Sequence, residues 1–347
     1  MALEFRTRDL CTALNTADSP RTNSEDCQSS ADDPLRIALV NNMPDSALED
    51  TEAQFVELLG AAASEVNAEL SLYSIPSVPR GDRAQKRLNE FYFGLPELLN
   101  ARFDGVIITG TEPKQPDLRN EPYWNELATV MDWAEESSLS AILSCLAAHA
   151  GVLHSDGISR RRLEDKRFGV FAEAKIADHP LTDSVSAPIC FPHSRWNDLP
   201  AEELIAGGYT ILTRAENVGV GLFVKEKKES LFVHFQGHPE YGERTLFKEY
   251  RRDVRRFLVK ERETYPSLPH GYFDAQTEGL LNAFRAEALE KRSEEMIQMF
   301  PGNGIGAALK KTWQSSSVAI YRNWLQYITA KRSQPDGKHV SVQAAGG

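Results

Sequence analysis

The sequence predicts an α/β fold built on an open, mostly parallel β-sheet. Three observations carry this. Short apolar runs rich in β-branched residues, such as Leu35-Arg36-Ile37-Ala38-Leu39-Val40, alternate with stretches of helical periodicity. Most of these runs end in loops rich in Asn, Pro, Gly or Thr. One run, Ala141-Ile142-Leu143-Ser144, passes directly into a cysteine followed by small helix-forming residues, Leu146-Ala147-Ala148-His149-Ala150. In an open parallel sheet the loops at the carboxyl ends of the strands are where ligands bind.

In order along the chain, residues 1–33 are polar and lack sustained periodicity, and are expected to form a disordered leader. The run 35–40 ends in Asn41-Asn42-Met43-Pro44, as a buried strand feeding a functional loop would. Asp50 or Thr51 can cap the next helix, along which Phe55, Leu58, Leu59 and Ala62 recur at helical spacing. A strand over 70–75, a helix ending near Leu99 and a strand over 103–110 follow. The last enters the loop Thr111-Glu112-Pro113-Lys114-Gln115-Pro116, and a helix over 123–136 leads to the Cys145 strand. From 168 to 235 the pattern becomes short strands (170–176, 209–213, 219–224, 230–235), expected as a later, partly antiparallel part of the same sheet. Helical patterns follow over 243–262, 277–299 and 307–331, and the tail from 333 to 347 is expected to be flexible. The expected organisation is one α/β domain over 34–332.

The 347 residues are 41% hydrophobic, enough for a sizeable core. A formal charge of −11 argues against a nucleic-acid partner, which requires a basic surface. The basic runs Arg160-Arg161-Arg162 and Arg251 to Arg256 read as solvated faces or local anion sites. No apolar run has the length of a membrane span and the N-terminus has no signal-peptide core, so a cytoplasmic location is expected. Cys11, Cys27, Cys145 and Cys190 have neither a disulfide-framework pattern nor zinc spacing, and no metal is expected.

Cys145 belongs at the tight turn between strand and helix. There a thiol meets the positive end of the helix dipole and the unpaired N–H groups of the first turn, which lower its pKa and can hold an oxyanion. The alternative is a buried structural thiol. His238 and Glu240, two residues apart at a strand end, can point the same way, so that the carboxylate orients the imidazole. Alternatively, Glu240 serves the N-terminus of the next helix. Together with Cys145 they complete a nucleophile, base and acid for acyl transfer. His193 competes as base; His149, on the helix itself, reads as a core or surface histidine.

The segments Asn42-Met43-Pro44, Thr51-Glu52-Ala53-Gln54-Phe55, Phe103-Asp104-Gly105 to Thr109-Gly110, Tyr123-Trp124, Cys145, Pro192-His193-Ser194-Arg195, Gly237-His238-Pro239-Glu240-Tyr241, Arg252-Asp253 and Asn323-Trp324-Leu325 resemble, in order and spacing, the homoserine O-succinyltransferase family of methionine biosynthesis. The resemblance runs from about Leu35 to Ile328.

It implies a flavodoxin-like, doubly wound sheet of the class I glutamine amidotransferase-like type with added C-terminal helices, and a helical insertion over 270–310. It further implies ping-pong acyl transfer: Cys145 attacks an acyl-CoA thioester, with the Leu146 backbone N–H in the oxyanion hole, His238 is the base and Glu240 orients it. No bound cofactor is implied, acyl-CoA and homoserine are the partners, and a homodimer is a family expectation. Lys166, Ser194 and Arg252 match positions that contact substrate; Arg252 offers a carboxylate fork, while surface ion pairing is the alternative, for Lys166 especially. The chain departs from the family pattern in three places. Asp45-Ser46 replace a lysine pair, Leu146 stands where Trp is usual, and Lys114 falls at the position that selects succinyl or acetyl donors. Pairing of Lys114 with a succinyl carboxylate is therefore expected. An acetyl-CoA donor, a serine-like acceptor, a glutamine amidotransferase-like hydrolase or a non-catalytic relative are the rival readings.

Overall fold

Successive side chains of the strand Leu35–Val40 point to opposite faces, and apart from the exposed Arg36 near its start both faces are apolar. Leu35, Ile37 and Leu39 enter one core, Ala38 and Val40 another. A strand buried on both sides belongs between two helical layers. The computed structural model describes residues 3–6, 33–302, 305, 309 and 311–334.

The strands are β1 (Leu3–Arg6), β2 (Leu35–Val40), β3 (Ala68–Tyr73), β4 (Phe103–Thr109), β5 (Ser138–Ser144), β6 (Arg161–Lys175), β7 (Ile189–Asp198), β8 (Thr210–Ile211), β9 (Thr213–Ala215), β10 (Gly219–Val220), β11 (Leu222–Lys227) and β12 (Ser230–Phe235). Eight of them form one sheet in the order β1-β3-β2-β4-β5-β12-β11-β8. From β1 through β12 the pairings are parallel; β11 and β8 add antiparallel at the far edge. The order β3-β2-β4-β5-β12 reverses direction between β2 and β4, which opens a crevice at the carboxyl ends of the strands.

The helices are α1 (Asp45–Ala62), α2 (Asp82–Phe91), α3 (Leu95–Leu99), α4 (Trp124–Ser137), α5 (Leu146–Asp156), α6 (Ala201–Ala206), α7 (Thr245–Leu258), α8 (Ala275–Glu290) and α9 (Gln314–Arg332). Helices α1 and α9 cover one face of the sheet; α3, α4 and α5 cover the other. Two of the sequence motifs meet here. Trp324 of α9 packs against β4, where a Cβ on Gly105 would fall 2.7 Å from its ring, and its indole N–H donates to Ser140 Oγ at 2.9 Å. Asn323 donates to the Leu181 and Asp183 carbonyls.

The open, parallel α/β sheet expected from sequence is present, with corrections. The antiparallel strands are not all part of it: β6, β7, β9 and β10 form a separate four-stranded sheet, ordered β10-β9-β6-β7. The long β7, which carries Pro192-His193-Ser194-Arg195, escaped the periodicity reading because Pro192 argues against a strand interior. Its carbonyl accepts from His238 N–H at 2.7 Å.

Helix α1 starts at Asp45 rather than at Asp50 or Thr51, since Pro44, in extended conformation, already ends the preceding loop. Residues 294–299 form a 3-10 helix separate from α8, and α9 begins at Gln314, not 307. In the expected leader, Leu3–Arg6 pairs with β3 and extends the sheet edge. Residues 7–32 and 335–347 lie outside the described residues. No helix among the described residues is long and apolar enough to cross a membrane.

Candidate active site

Strand β5 turns into α5 within one residue. Cys145 takes that turn with φ 49° and ψ −105°, a backbone conformation unusual outside glycine. Its N–H donates to the Phe235 carbonyl at 2.7 Å, and its carbonyl accepts from His149 N–H at 3.2 Å. The thiol therefore sits at the positive end of α5, beside the Leu146 and Ala147 N–H groups, which have no partner within the helix. Gly110, just past β4, permits this: a Cβ there would lie 2.3 Å from Leu146 Cβ and 3.0 Å from Ala147 N.

The loop after β12 brings in the other two groups. Gly237 lies so close to β7 that a Cβ would meet His193, Phe191 and Pro192 at 3.0 Å. His238 Nδ1–H donates to Glu240 Oε1 at 2.8 Å, and both side chains are buried. With Nδ1 engaged, Nε2 is left for the Cys145 thiol, whose influence reaches the imidazole. Burial alone would lower the His238 pKa, but the neighbouring Cys145 and Glu240 charges outweigh it and raise the pKa well above the usual value. The imidazole is thereby set as the proton carrier beside the thiol. Tyr241 stacks on His238 at 4.2 Å between ring centres. Ser144 Oγ donates to Glu240 Oε1 at 3.4 Å.

The competing histidines are occupied elsewhere. His193 is buried, with Nε2 on Glu173 Oε1 at 2.8 Å and Nδ1 accepting from Arg195 Nε at 3.3 Å; burial holds its pKa down. His149 packs beneath the turn against Gln236 Oε1 at 2.9 Å, and burial lowers its pKa to about 3.

Two of the residues matched to substrate positions, Lys166 and Ser194, converge on one carboxylate that sequence reasoning missed, Glu249 of α7. It accepts from Tyr241 OH at 2.7 Å, from Ser194 Oγ, and from Lys166 Nζ at 3.4 Å. Lys166 also lies 3.6 Å from Asp253 Oδ2 and 4.0 Å from the centre of the Phe168 ring. Arg252 Nε and Nη2 donate to Asp253 Oδ1 at 3.2 Å, while about half of its side chain is exposed (48%). A continuous chain of contacts therefore runs from Cys145 through His238, Tyr241 and Glu249 to Ser194, Lys166 and Arg252. Glu249 could have been suspected from sequence only by its spacing of three and four residues from Arg252 and Asp253.

Lys114 is the exception. It is exposed, and its backbone N–H, like that of Gln115 (2.6 Å), donates to the buried Glu121 carboxylate. A cation the sequence reading did not single out, Arg160, lies within electrostatic reach of Cys145, and its Nη2 reaches the Gln115 and Pro116 carbonyls at 3.5 and 3.4 Å. Burial lowers its pKa, opposed by the charges of Tyr123, Cys145 and Glu121. Its signal in the sequence was the basic run 160–162. No group of three or more potential metal-ligating side chains occurs among the described residues.

A sequence profile of the homoserine O-succinyltransferase family matches residues 9–334. The homoserine O-succinyltransferase of Rhodopseudomonas palustris is 45% identical over 291 residues, 84% of this chain and 87% of that protein. The chain belongs to the homoserine O-succinyltransferase family. Other relatives bearing that name are found in Methylorubrum extorquens, 45% identical over 85% of this chain and 87% of its own, and Methylococcus capsulatus, 35% identical over 88% of each. Among solved structures, a glutamine amidotransferase from Thermotoga maritima aligns with 85% of this chain and 98% of its own at 11% identity and a TM-score of 0.46. This member of the homoserine O-succinyltransferase family is thus a transferase, with its Cys145 turn at the carboxyl edge of the sheet.

Proposed function

We propose that this enzyme moves the succinyl group of succinyl-CoA to the hydroxyl of L-homoserine through a thioester on Cys145. The observation that carries the reading is the Cys145–His238–Glu240 constellation at the start of α5, in a chain of this family. The Cys145 thiolate attacks the thioester carbonyl, and the carbonyl electrons move onto oxygen, which faces the Leu146 N–H. Collapse of this intermediate expels the CoA thiolate, which takes the proton of the His238 imidazolium. Neutral His238 then removes the proton of the homoserine hydroxyl as its oxygen attacks the Cys145 thioester. Release of the Cys145 thiolate beside the newly protonated His238 restores the starting ion pair.

Glu240 keeps Nδ1 protonated and Nε2 aimed at the reacting atoms. The exposed edge of Arg252 suits the amino-acid carboxylate, and the Glu249 hub, with Ser194 and Lys166, fixes the wall beside it. Arg160 is the better-placed cation for the free succinyl carboxylate, with Lys114 the second, on the loop after β4 whose carbonyls Arg160 contacts.

The test supplies purified protein with succinyl-CoA and L-homoserine and identifies the product by mass spectrometry, with acetyl-CoA and L-serine as exchanged substrates. O-succinyl-L-homoserine as the dominant product supports the reading. Preferential acetyl transfer, preferential use of serine, or ammonia release from glutamine without acyl transfer contradicts it.

A further inference from the structure

Helix α7 carries Lys248, Arg251, Arg252 and Arg255 at positions i, i+3, i+4 and i+7, which places four cations on one face. On a chain of formal charge −11 this is a local reversal of sign. Helix electrostatics do not account for it. Arg255, in the last turn, gains from the negative end of the dipole, but Lys248 lies in the first turn, at the positive end. Lys248 pairs with Asp50 and Arg252 with Asp253. Arg251 and Arg255 are exposed and meet no carboxylate among the described residues.

These cations rim a cleft of about 340 Å³. Its floor is apolar, built by Val254 and Leu258 of α7 and by Ile297 and Phe300 from the chain after α8. Phe300 is fixed from behind by Phe284, at 5.4 Å between ring centres, and Phe247, at 6.0 Å. A flat apolar wall under a row of guanidinium groups suits a purine carrying several phosphates, because the ring stacks while the forks pair with phosphate oxygens. At one end of the cleft Arg252 lies one helical turn from Glu249 and senses the charge of Glu112 on the loop after β4. The cleft therefore opens beside the acyl-transfer site.

We propose that this cleft holds the adenosine 3′-phosphate 5′-diphosphate end of the acyl-CoA donor, with Arg251, Arg255 and Lys248 on the phosphates and the adenine against Ile297 and Phe300. The pantetheine arm then runs past Arg252 toward Cys145. This rests on the acyl-CoA reading above and adds the place where the nucleotide is recognised.

The test compares the parent with Arg251→Ser/Arg255→Ser, two exposed changes, using two donors. One is succinyl-CoA; the other is S-succinyl-N-acetylcysteamine, which has the thioester but no nucleotide. The expected result is a KM for succinyl-CoA raised roughly ten-fold, with kcat little changed and the rate with the truncated donor unaltered. Calorimetric titration with adenosine 3′,5′-bisphosphate should show binding to the parent, weakened by salt, and loss of that binding in the variant. An unchanged KM for succinyl-CoA, or an equal effect on both donors, overturns the assignment. If the parent uses neither donor, the acyltransfer reading fails, and the bisphosphate titration still decides on the cleft.

Discussion

Glu240→Gln isolates the charge of the proposed third member of the triad, because an amide oxygen can still accept from Nδ1–H in nearly the same space. In the parent, His238 Nδ1 and Glu240 Oε1 are 2.8 Å apart in a buried setting. With the charge centres about 4 Å apart and an effective dielectric of about 20, the carboxylate stabilises the imidazolium by about 4 kcal/mol as an upper figure. Relaxation of the site reduces this to about 3 kcal/mol, or roughly a hundred-fold in the rate of Cys145 acylation. The sign for pH follows from the same contacts. Burial pulls the His238 pKa down while Cys145 and Glu240 raise it, so removing Glu240 moves the imidazole pKa downward. The ion pair is then lost at lower pH as pH rises. Rapid-quench mass spectrometry of acyl-enzyme formation across pH measures both quantities. A loss under about five-fold with an unmoved pH profile would refute the assignment of Glu240 as the group that charges and orients His238.

Three further predictions concern other parts of the molecule. Gly105→Ala drives a methyl group to 2.7 Å from the Trp324 ring and should destabilise the fold by about 1–3 kcal/mol, read as a lower urea midpoint at unchanged slope. His234 is fully buried, stacks on Phe223 at 4.7 Å, and burial lowers its pKa to about 3. Between its unfolded pKa of 6.5 and about 3 only the unfolded chain binds the proton, so stability falls as pH falls, by up to about 1.4 kcal/mol per pH unit; His234→Phe should flatten that slope in urea titrations, and an unchanged slope would remove His234 from the account. Arg160→Ala should lower the preference for succinyl-CoA over acetyl-CoA by roughly ten-fold, and Lys114→Ala by less; the reverse ranking in competition assays would return the donor selectivity to Lys114.

The parts of the site legible in the sequence are those that local backbone chemistry dictates. A strand of small and apolar residues meeting Cys145 and a helix start has few conformations available, and the observed φ of 49° is one of them. His238 and Glu240 are two residues apart in sequence, so their pairing needs only a short loop. The pieces that were not legible depend on long-range packing. Glu249 gathers Tyr241, Ser194 and Lys166 from three separate segments, and nothing in its local sequence announces that.

Of the histidines, His193 was the alternative for the base. His193 sits in a motif beside Ser194, yet Glu173, twenty residues away, claims its Nε2 in a hairpin that the Pro192 signal obscured. The separate antiparallel sheet was missed for the same reason: strand periodicity gives the elements but not which sheet they join. Gly105, Gly110 and Gly237 are each required by close approach of another segment, Trp324, Leu146 and His193 respectively. That requirement becomes visible only in three dimensions.

The claim on which the rest depends is that Cys145 carries the acyl group. Its most direct test is the intact mass of the protein after mixing with succinyl-CoA in the absence of any acceptor, beside Cys145→Ala treated identically. The account predicts a single succinyl adduct on the parent, none on the variant, and discharge of the adduct on adding L-homoserine. Formation of an adduct on the variant, or product formation by the parent with no adduct on the reaction timescale, would contradict it.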